Sequence, residues 1–272
     1  MFIKDESELI DFINKHKKSL FRKTIYLDEQ LLITKTIHLN KIRFIGLNEE
    51  AEVKCLKGGK LQLQNNNTIK NIKVYNSEKN AIIIKGNNNK LENVFVSNNG
   101  DTGLQIMDGA SNNKIYNCIS AFNNNDRNSA DGFACKLKSG KNNVFKKCIA
   151  FNNGDDGFDT FEASYGVKFI GCVAFNNGFQ GNGSGFKLGG FKHKKNLNDN
   201  IKHILKRCIS VSNCYYGFTT NNQVGEIQLT DCNAFGNNKR DLFFPETSHP
   251  KSMEFDELKL GKTYVYRCQY KK

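Results

Sequence analysis

The amino-acid sequence predicts an all-β solenoid, a parallel β-helix whose N-terminal end is capped by an α-helix. The first observation is a repeat, because six similar strand-like segments follow one another in steps of 24, 30, 24, 36 and 24 residues. A base period of this length with two insertions is typical of a solenoid. The segments begin at Val94, Cys118, Cys148, Cys172, Cys208 and Cys232. The second observation is a further short run in each period, and two or three short strands per turn describe a β-helix.

The further run begins in most periods with glycine and an apolar residue, as at Gly157-Phe158 and Gly185-Phe186. Strand residues alternate between inward and outward positions, so we expect each phenylalanine in the core and the next residue outside it. In-register parallel strands place equivalent residues about 4.8 Å apart. The predicted outward column is Ile83, Gln105, Ala134, Asp159, Lys187 and Thr219.

Asparagine, glycine and cysteine recur at equivalent positions of the repeat. Asparagine tolerates a left-handed backbone at turns, and stacked amides form ladders. We therefore expect an inward amide ladder at the strand ends, which includes Asn123, Asn152, Asn176 and Asn213. The cysteines that open the strand-like segments are expected to stack as inward thiols, because the total of nine is odd and no C-x-x-C pair suggests zinc.

The chain divides into three predicted regions. Residues 5–21 have apolar residues at helical spacing, acids early and lysines late, as in an amphipathic helix whose charges complement its dipole. We expect a cap helix over residues 1–23, a β-helix with the active-site face over residues 24–245, and a C-terminal strand or cap over residues 246–272.

The net charge is +13, from 40 Lys and Arg against 27 Asp and Glu. This excess favours a polyanionic partner such as nucleic acid, an anionic membrane surface or an acidic polysaccharide, although a lysine-rich composition without a function is equally compatible with it. The sequence contains no nucleic-acid-binding module or aromatic stacking platform, and no apolar run long enough to span a membrane. The first seven residues lack the basic start and apolar core of a signal peptide, so a cytoplasmic location and another export route both stay open. We expect a monomer.

Four aspartates fall at neighbouring positions of two successive turns. Asp131 and Asp156 each precede the Gly-Phe pair of their turn, Asp155 adjoins Asp156, and Asp159 lies in the outward column. Unpaired carboxylates this close would repel one another. A hard divalent cation removes the repulsion, and oxygen-only ligands favour Ca²⁺ over zinc. Ordinary turn chemistry is the alternative for a single Asp-Asp-Gly, and the register of Asp131 weakens it.

Lys187 lies one turn after Asp159 in the outward column, among small residues that leave space for a flat ligand. It is the candidate base, and an exposed lysine without a function is the alternative. The two insertions, around residues 124–130 and 191–200, are expected to extrude beside the aspartates, where solenoids often bind ligands. Basic residues on or near them are candidates to bind the carboxylates of a polymer. These are Arg127, Lys136 and Lys192.

Together the motifs resemble polysaccharide lyase family 9, the calcium-dependent pectate lyases with a right-handed parallel β-helix. The resemblance covers about residues 90–240 and rests on Asp131-Gly-Phe and on residues 153–159, 172–178 and 183–190, Asn-Gly-Asp-Asp-Gly-Phe-Asp, Cys-Val-Ala-Phe-Asn-Asn-Gly and Gly-Ser-Gly-Phe-Lys-Leu-Gly-Gly. The resemblance implies that Lys187 is the catalytic base. Proteins of this family are typically secreted. The resemblance also implies four calcium ligands, Asp131, Asp155, Asp156 and Asp159.

Elimination from a uronide requires removal of the proton at C5, alpha to the carboxylate. Ca²⁺ on that carboxylate would neutralise its charge while Lys187 takes the proton and the glycosidic oxygen at C4 leaves. Two alternatives stay open. A glycoside hydrolase on the same scaffold would use the aspartates as acid and base and give Lys187 no role. A non-catalytic glycan-binding β-helix, of the adhesin or phage-fibre type, would bind a structural Ca²⁺.

Overall fold

The computed structural model describes residues 1–127, 129–190, 201–221, 225–244, 252–255, 258–260, 263–266 and 268–271. These residues form a parallel β-helix preceded by one α-helix, so the predicted fold is confirmed. The boundaries of the three predicted regions stay a prediction.

Helix α1 (Glu6–His16) covers the first turns of the solenoid. The side chain of Asp5 caps it by accepting a hydrogen bond of 2.8 Å from the Glu8 N–H. Leu9 and Phe12 lie on its apolar face and are buried against the core of the β-helix. The apolar residues at helical spacing therefore form the cap that the sequence predicts.

One sheet, which we call the site sheet, contains nine parallel strands within the described residues. Each strand pairs with the equivalent strand of the next turn, so side chains stack along the solenoid axis. The strands are β3 (Thr36–Leu39), β6 (Lys60–Leu63), β8 (Ile82–Ile84), β10 (Leu104–Ile106), β13 (Phe133–Cys135), β16 (Phe158–Asp159), β19 (Phe186–Lys187), β22 (Tyr216–Thr219) and β25 (Arg240–Phe243).

The second sheet forms the other walls of the solenoid and contains 20 strands in the part of the chain that the structure describes. Its pairings are parallel except those of β26 with β29 and of β27 with β28 near the C-terminus. Its strands up to the middle of the chain are β1 (Lys23–Leu27), β2 (Gln30–Ile33), β4 (Ile42–Gly46), β5 (Glu52–Cys55), β7 (Thr68–Tyr75), β9 (Lys90–Ser97), β11 (Lys114–Tyr116), β12 (Ile119–Ala121), β14 (Val144–Lys146) and β15 (Ile149–Phe151). The remaining strands are β17 (Lys168–Ile170), β18 (Val173–Phe175), β20 (Lys202–Lys206), β21 (Ile209–Val211), β23 (Glu226–Thr230), β24 (Asn233–Phe235), β26 (Ser252–Phe255), β27 (Leu258–Leu260), β28 (Thr263–Tyr266) and β29 (Cys268–Lys271).

The core beneath the site sheet is aliphatic in the first turns and aromatic in the later ones. Phe133, Phe158, Phe186 and Phe218 are buried and stacked, with successive ring centroids 5.3, 4.7 and 4.9 Å apart. Stacked and edge-to-face rings of this kind add to the stabilisation that burial provides. The inward position of these phenylalanines confirms the predicted alternation, and with it the outward column.

Two asparagine ladders stabilise the corners on either side of the site sheet. In each ladder a buried side-chain oxygen accepts hydrogen bonds from the backbone and side-chain N–H groups of the preceding asparagine. The first ladder follows the strands of the site sheet and contains Asn67, Asn89, Asn113 and Asn143. The second ladder precedes those strands and contains Asn99, Asn123, Asn153, Asn177, Asn213 and Asn237.

The predicted ladder is right for Asn123 and Asn213 and wrong for Asn152 and Asn176. The latter two have φ values of 52° and 53° and lie outside the ladder, and the residue that follows each belongs to it. At these two turns the residue with the left-handed backbone comes first, and the next residue directs its amide inward into the ladder.

The recurring cysteines lie inside the solenoid, as predicted. Cys118, Cys148, Cys172, Cys208 and Cys232 are buried and free. The thiol of Cys148 donates to the Ile115 carbonyl at 3.4 Å. These side chains act as small apolar groups with a weak donor.

Candidate functional site

The four aspartates lie on two successive turns of the solenoid. Three of them precede strands β13 and β16 of the site sheet, and Asp159 lies within β16. The Gly132 N–H donates to the Asp156 carbonyl at 2.9 Å, which places Asp131 and Asp156 at equivalent positions. Strand pairing sets Asp159 beside Lys187 of the next turn. The predicted register of Asp131 with Asp156 and of Asp159 with Lys187 is therefore confirmed.

Close backbone packing holds the turn that carries Asp155 and Asp156. A Cβ atom on Gly157 would lie 2.8 Å from the Gly185 carbonyl oxygen and 2.9 Å from the Ala174 Cβ, so this position requires glycine. Asn153 precedes the turn in the second asparagine ladder and is fully buried. The aspartates thus extend from a backbone that is fixed on both sides.

Three of the four carboxylates converge. Asp131, Asp155 and Asp156 each offer one oxygen, and these oxygens lie within 4.8 Å of one another. Their exposed fractions are only 0, 8 and 1%. Buried carboxylates at this separation require positive charge nearby, since each is deprived of water and repels the others.

Two lysines form ion pairs with the aspartates of this cluster. Lys187 forms an ion pair with Asp156 and lies 3.5 Å from Asp159. Lys136 Nζ lies 2.5 Å from Asp131 and 3.1 Å from Asp159. Asp159 therefore bridges the two lysines.

Some carboxyl groups of the cluster have a raised pKa, whereas that of Asp159 is lowered. Burial raises the pKa of Asp131 to about 7, against the opposing charge of Lys136. Burial and the negative charge of Asp156 raise the pKa of Asp155 to about 9. For Asp159, burial acts in the same direction, but the two lysines outweigh it and hold its pKa below the ordinary value.

Both ammonium groups are held in the charged form. Burial alone would lower the pKa of Lys187, but Asp156 and the other carboxylates raise it well above its ordinary value. Asp131 and Asp159 likewise raise the pKa of Lys136 against the effect of burial. The lysines thus offset part of the negative charge and leave the rest uncompensated.

The donor set fits one divalent cation. If all four carboxylates are ionised, they and the two ammonium groups give −4 and +2, a net charge of −2 in a buried site. Without a cation, the raised pKa values of Asp131 and Asp155 mean that protonation reduces this charge. The converging donors are all carboxylate oxygens, which suit hard cations such as Ca²⁺. Asp155, whose pKa is raised to about 9, is the one of the three converging carboxylates that has no lysine ion-pair partner among the described residues.

The structure brings some of the predicted substrate-binding residues to the site and not others. Lys136 lies within the carboxylate cluster, with a side chain only 14% exposed. Arg127 is exposed on the insertion that leads to Asp131, and it has no described contact with the cluster. Lys192 and the second insertion lie outside the described residues. The roles of all three in substrate binding stay predictions.

Two polar residues at the site escaped the sequence analysis. The Thr102 hydroxyl donates to Asp131 Oδ2 at 3.0 Å, and the Ser184 N–H donates to Asp156 Oδ1 at 2.7 Å. Both residues precede the glycine of their turn, as Asp131 and Asp156 do. The same alignment that identified the aspartates therefore contained the signal for these two neighbours.

Comparison with known proteins finds pectate lyases among the relatives of this chain. Residues 20–249 match the family model described as Pel9A-like, right handed beta helix region. Pectate lyase L of Paenibacillus polymyxa (strain SC2) is 36% identical over 205 residues, which cover 66% of this chain and 44% of that protein. Pectate lyase L of Dickeya chrysanthemi is 34% identical over 180 residues, which cover 62% of this chain and 41% of that protein. The chain thus spans less than half the length of these relatives.

Solved structures share the fold at low sequence identity. The crystal structure of pectate lyase Pel9A superposes with a TM-score of 0.71 and 23% identity, covering 94% of this chain and 72% of that chain. The A-module of the Azotobacter vinelandii mannuronan C-5 epimerase AlgE6 also superposes with a TM-score of 0.71, at 12% identity, covering 89% of this chain and 69% of that chain.

Among the described residues, none of the helices has the length and apolar character needed to cross a membrane.

Proposed function

Because this chain belongs to the Pel9A-like right-handed β-helix family, we propose that it is a pectate lyase-like polysaccharide lyase. Its substrate is an acidic, galacturonate-type polysaccharide, which it cleaves by Ca²⁺-assisted β-elimination with Lys187 as the base. One observation carries the proposal: three converging carboxylates lie beside a lysine that projects from the neighbouring strand. The pectate lyases among its relatives support the same substrate class.

The cation ligands are Asp131, Asp155 and Asp156, with Asp159 as the fourth. When bound, Ca²⁺ supplies positive charge that neutralises the uronide carboxylate and the aspartates, which acidifies the proton at C5 and lowers the pKa of Lys187. Thr102 and Ser184 orient two of the ligands through their hydrogen bonds. Ligands held by such partners bind metals more tightly.

Lys187 performs the proton transfer. Its amine takes the proton from C5, the C5–H electron pair forms the double bond between C4 and C5, and the C4–O bond breaks. The leaving oxygen departs with that bond's electrons and takes up a proton, which yields an unsaturated uronide and a shortened polymer. Asp156 and Asp159, which pair with the ammonium form of Lys187, also position its nitrogen when the amine is neutral.

The test is cleavage of polygalacturonate in the presence of Ca²⁺, followed by ultraviolet absorbance of the unsaturated product. We expect activity that EDTA abolishes, and a reduction of roughly 100-fold or more in Lys187→Ala, the range typical of a general base. Calcium binding by Lys187→Ala, measured by calorimetry, should survive.

Other outcomes contradict the proposal in distinct ways. Reducing ends without ultraviolet absorbance would indicate a hydrolase. Polymer binding without cleavage would indicate a glycan-binding module. Cleavage by Lys187→Ala at the parent rate would exclude Lys187 as the base.

A further inference from the structure

A column of side chains precedes the site-sheet strands, and its chemistry changes along the solenoid. Backbone hydrogen bonds of 2.8–2.9 Å between successive turns, and the pairing of β22 with β25, fix the alignment of this turn column. Its members in order along the axis are Asp131, Asp156, Ser184, Tyr216 and Arg240. The column thus runs from two carboxylates through a small hydroxyl to a phenol and a guanidinium.

The positions one residue earlier follow the same sequence of chemistry. The Tyr215 N–H donates to the Gly183 carbonyl at 3.1 Å, and the Lys239 N–H donates to the Tyr215 carbonyl at 2.9 Å. Asp155 is therefore followed by a glycine, a tyrosine and a lysine on the next three turns. Two aromatic residues and then two basic residues replace the aspartate pair of the cation site.

These residues form one packed group, which we call the aromatic–basic cluster: Tyr215, Tyr216, Lys239, Arg240 and Phe243. The rings of Tyr215 and Tyr216 are 4.4 Å apart, and Tyr216 stacks on Phe243 at 4.3 Å. Lys239 Nζ lies 4.1 Å from the Tyr215 ring centroid, and the Arg240 guanidinium lies 5.6 Å from that of Phe243. The rings therefore position both cations.

Among the described residues, the two cations of the cluster have no carboxylate partner. Within residues 201–221 and 225–244 and the earlier described ranges, neither Lys239 nor Arg240 lies within ion-pair distance of an aspartate or glutamate. Lys136 and Lys187, by contrast, are paired with the buried aspartates. Lys239 donates one hydrogen bond to the Tyr215 hydroxyl, which leaves its other two N–H donors available for an anion. The contact of Arg240 with the Phe243 ring uses none of the guanidinium N–H donors.

We propose that the aromatic–basic cluster is a subsite for a uronate residue of the polymer, and this inference rests on the proposed function. The ammonium and guanidinium groups bind the sugar carboxylate, and the partly exposed rings of Tyr215 and Phe243 contact the C–H face of the pyranose. Tyr216 and Arg240 follow Asp156 by two and three turns, which is about 10 to 14 Å along the axis at 4.8 Å per turn. The polymer therefore lies along the axis, with Ser184 and Gly183 leaving room between cation site and subsite.

The test compares two double variants with the same change in charge. Lys239→Gln/Arg240→Gln removes the cations of the cluster. Lys206→Gln/Arg207→Gln removes two exposed cations at the corner between β20 and β21, which belong to the other sheet. The measurements are kcat and KM on oligogalacturonates of increasing length, with and without methyl esters, and calorimetric binding of the same oligomers.

For non-esterified oligomers long enough to reach the cluster, we expect the cluster variant to raise KM by roughly tenfold or more, as for loss of a charged hydrogen bond. Methyl esters, which remove the sugar charge, should abolish most of that difference. Lys239→Arg should retain binding. The control variant should stay within about twofold of the parent.

Equal KM values for the cluster and control variants would overturn the subsite, as would a loss that is independent of oligomer length and esterification. If the parent does not cleave the polymer, the proposed function fails while calorimetry still tests the subsite. Should the double variant fold poorly, Lys239→Gln alone tests the same contact, because Lys239 is exposed.

Discussion

Strands β6, β8 and β10 and strands β13, β16 and β19 pair in one sheet with one register, yet their outward residues differ in kind. The first group presents neutral side chains, Gln62, Ile83 and Gln105. The second presents Ala134, Asp159 and Lys187. We call the two groups the N-terminal turns and the site turns. Because ladder hydrogen bonds involve only the backbone, the solenoid accepts either set without a change in fold.

The interiors of the two regions differ as well. Aliphatic side chains such as Ile82 and Leu104 fill the N-terminal turns, whereas stacked Phe133, Phe158 and Phe186 fill the site turns. The first asparagine ladder ends at Asn143, and the second continues past the site. In the site turns, the second ladder therefore holds the corner directly before the aspartates. The geometry of the carboxylates depends on the backbone at this corner.

The largest expected effect concerns the aspartates of the site turns. Asp156→Asn should weaken Ca²⁺ binding by about 1,000-fold, because it removes a buried anionic ligand. Asp108→Asn in the N-terminal turns removes an aspartate that is exposed and paired with Lys85 at 2.9 Å, and it should leave the affinity unchanged. Calorimetric titration with Ca²⁺ measures both. Similar losses in the two variants would mean that the cation binds elsewhere.

The second effect is a pH dependence confined to the site turns. Beyond the end of the first ladder, buried His203 Nδ1 accepts a hydrogen bond of 3.2 Å from the Val167 N–H. Burial lowers the pKa of His203 to about 4, from 6.5. The neutral ring is therefore favoured in the folded state, so its stabilisation is complete above pH 6.5 and is lost as the pH falls towards 4.

Between pH 7 and pH 5 the contribution of His203 to the free energy of unfolding should fall by about 2 kcal/mol. Denaturant unfolding at a series of pH values measures it. His203→Asn supplies an amide like those of the first ladder and should remove this fall, so that the free energy of unfolding depends less steeply on pH. An unchanged slope in this variant would assign the acid sensitivity to other groups.

The smallest effect separates the two ladders. Asn113→Ala in the first and Asn153→Ala in the second should each lower the free energy of unfolding by about 1–3 kcal/mol, since each leaves buried donors and acceptors unpaired. Only Asn153→Ala should also weaken Ca²⁺ binding, by several fold, because Asp155 follows two residues later. Chemical unfolding and calcium titration of both variants provide the comparison. Equal calcium affinities would show that the ladder does not position the ligands.

Periodicity accounts for what was predictable in this protein. The repeat and the alternation of strands predicted the inward phenylalanines and cysteines, the outward column and the stacking of Asp131 on Asp156, since each depends only on backbone register. The ladder prediction missed by one residue at Asn152 and Asn176, because composition marks a turn without specifying which of two adjacent amides points inward. The aromatic–basic cluster was also missed, although Tyr215 and Lys239 stand at positions equivalent to Asp155.

The solenoid, its capping helix and the neighbourhood of the four aspartates and Lys187 could be predicted from the pattern of residues along the chain. The convergence of three carboxylates, and the contacts of Asp159 with both Lys136 and Lys187, became evident only in the folded protein. The same holds for the packing of Lys239 on Tyr215. The physical reason is that the period of the backbone brings side chains to one face, whereas their contacts depend on rotamers and on the charges that burial forces together.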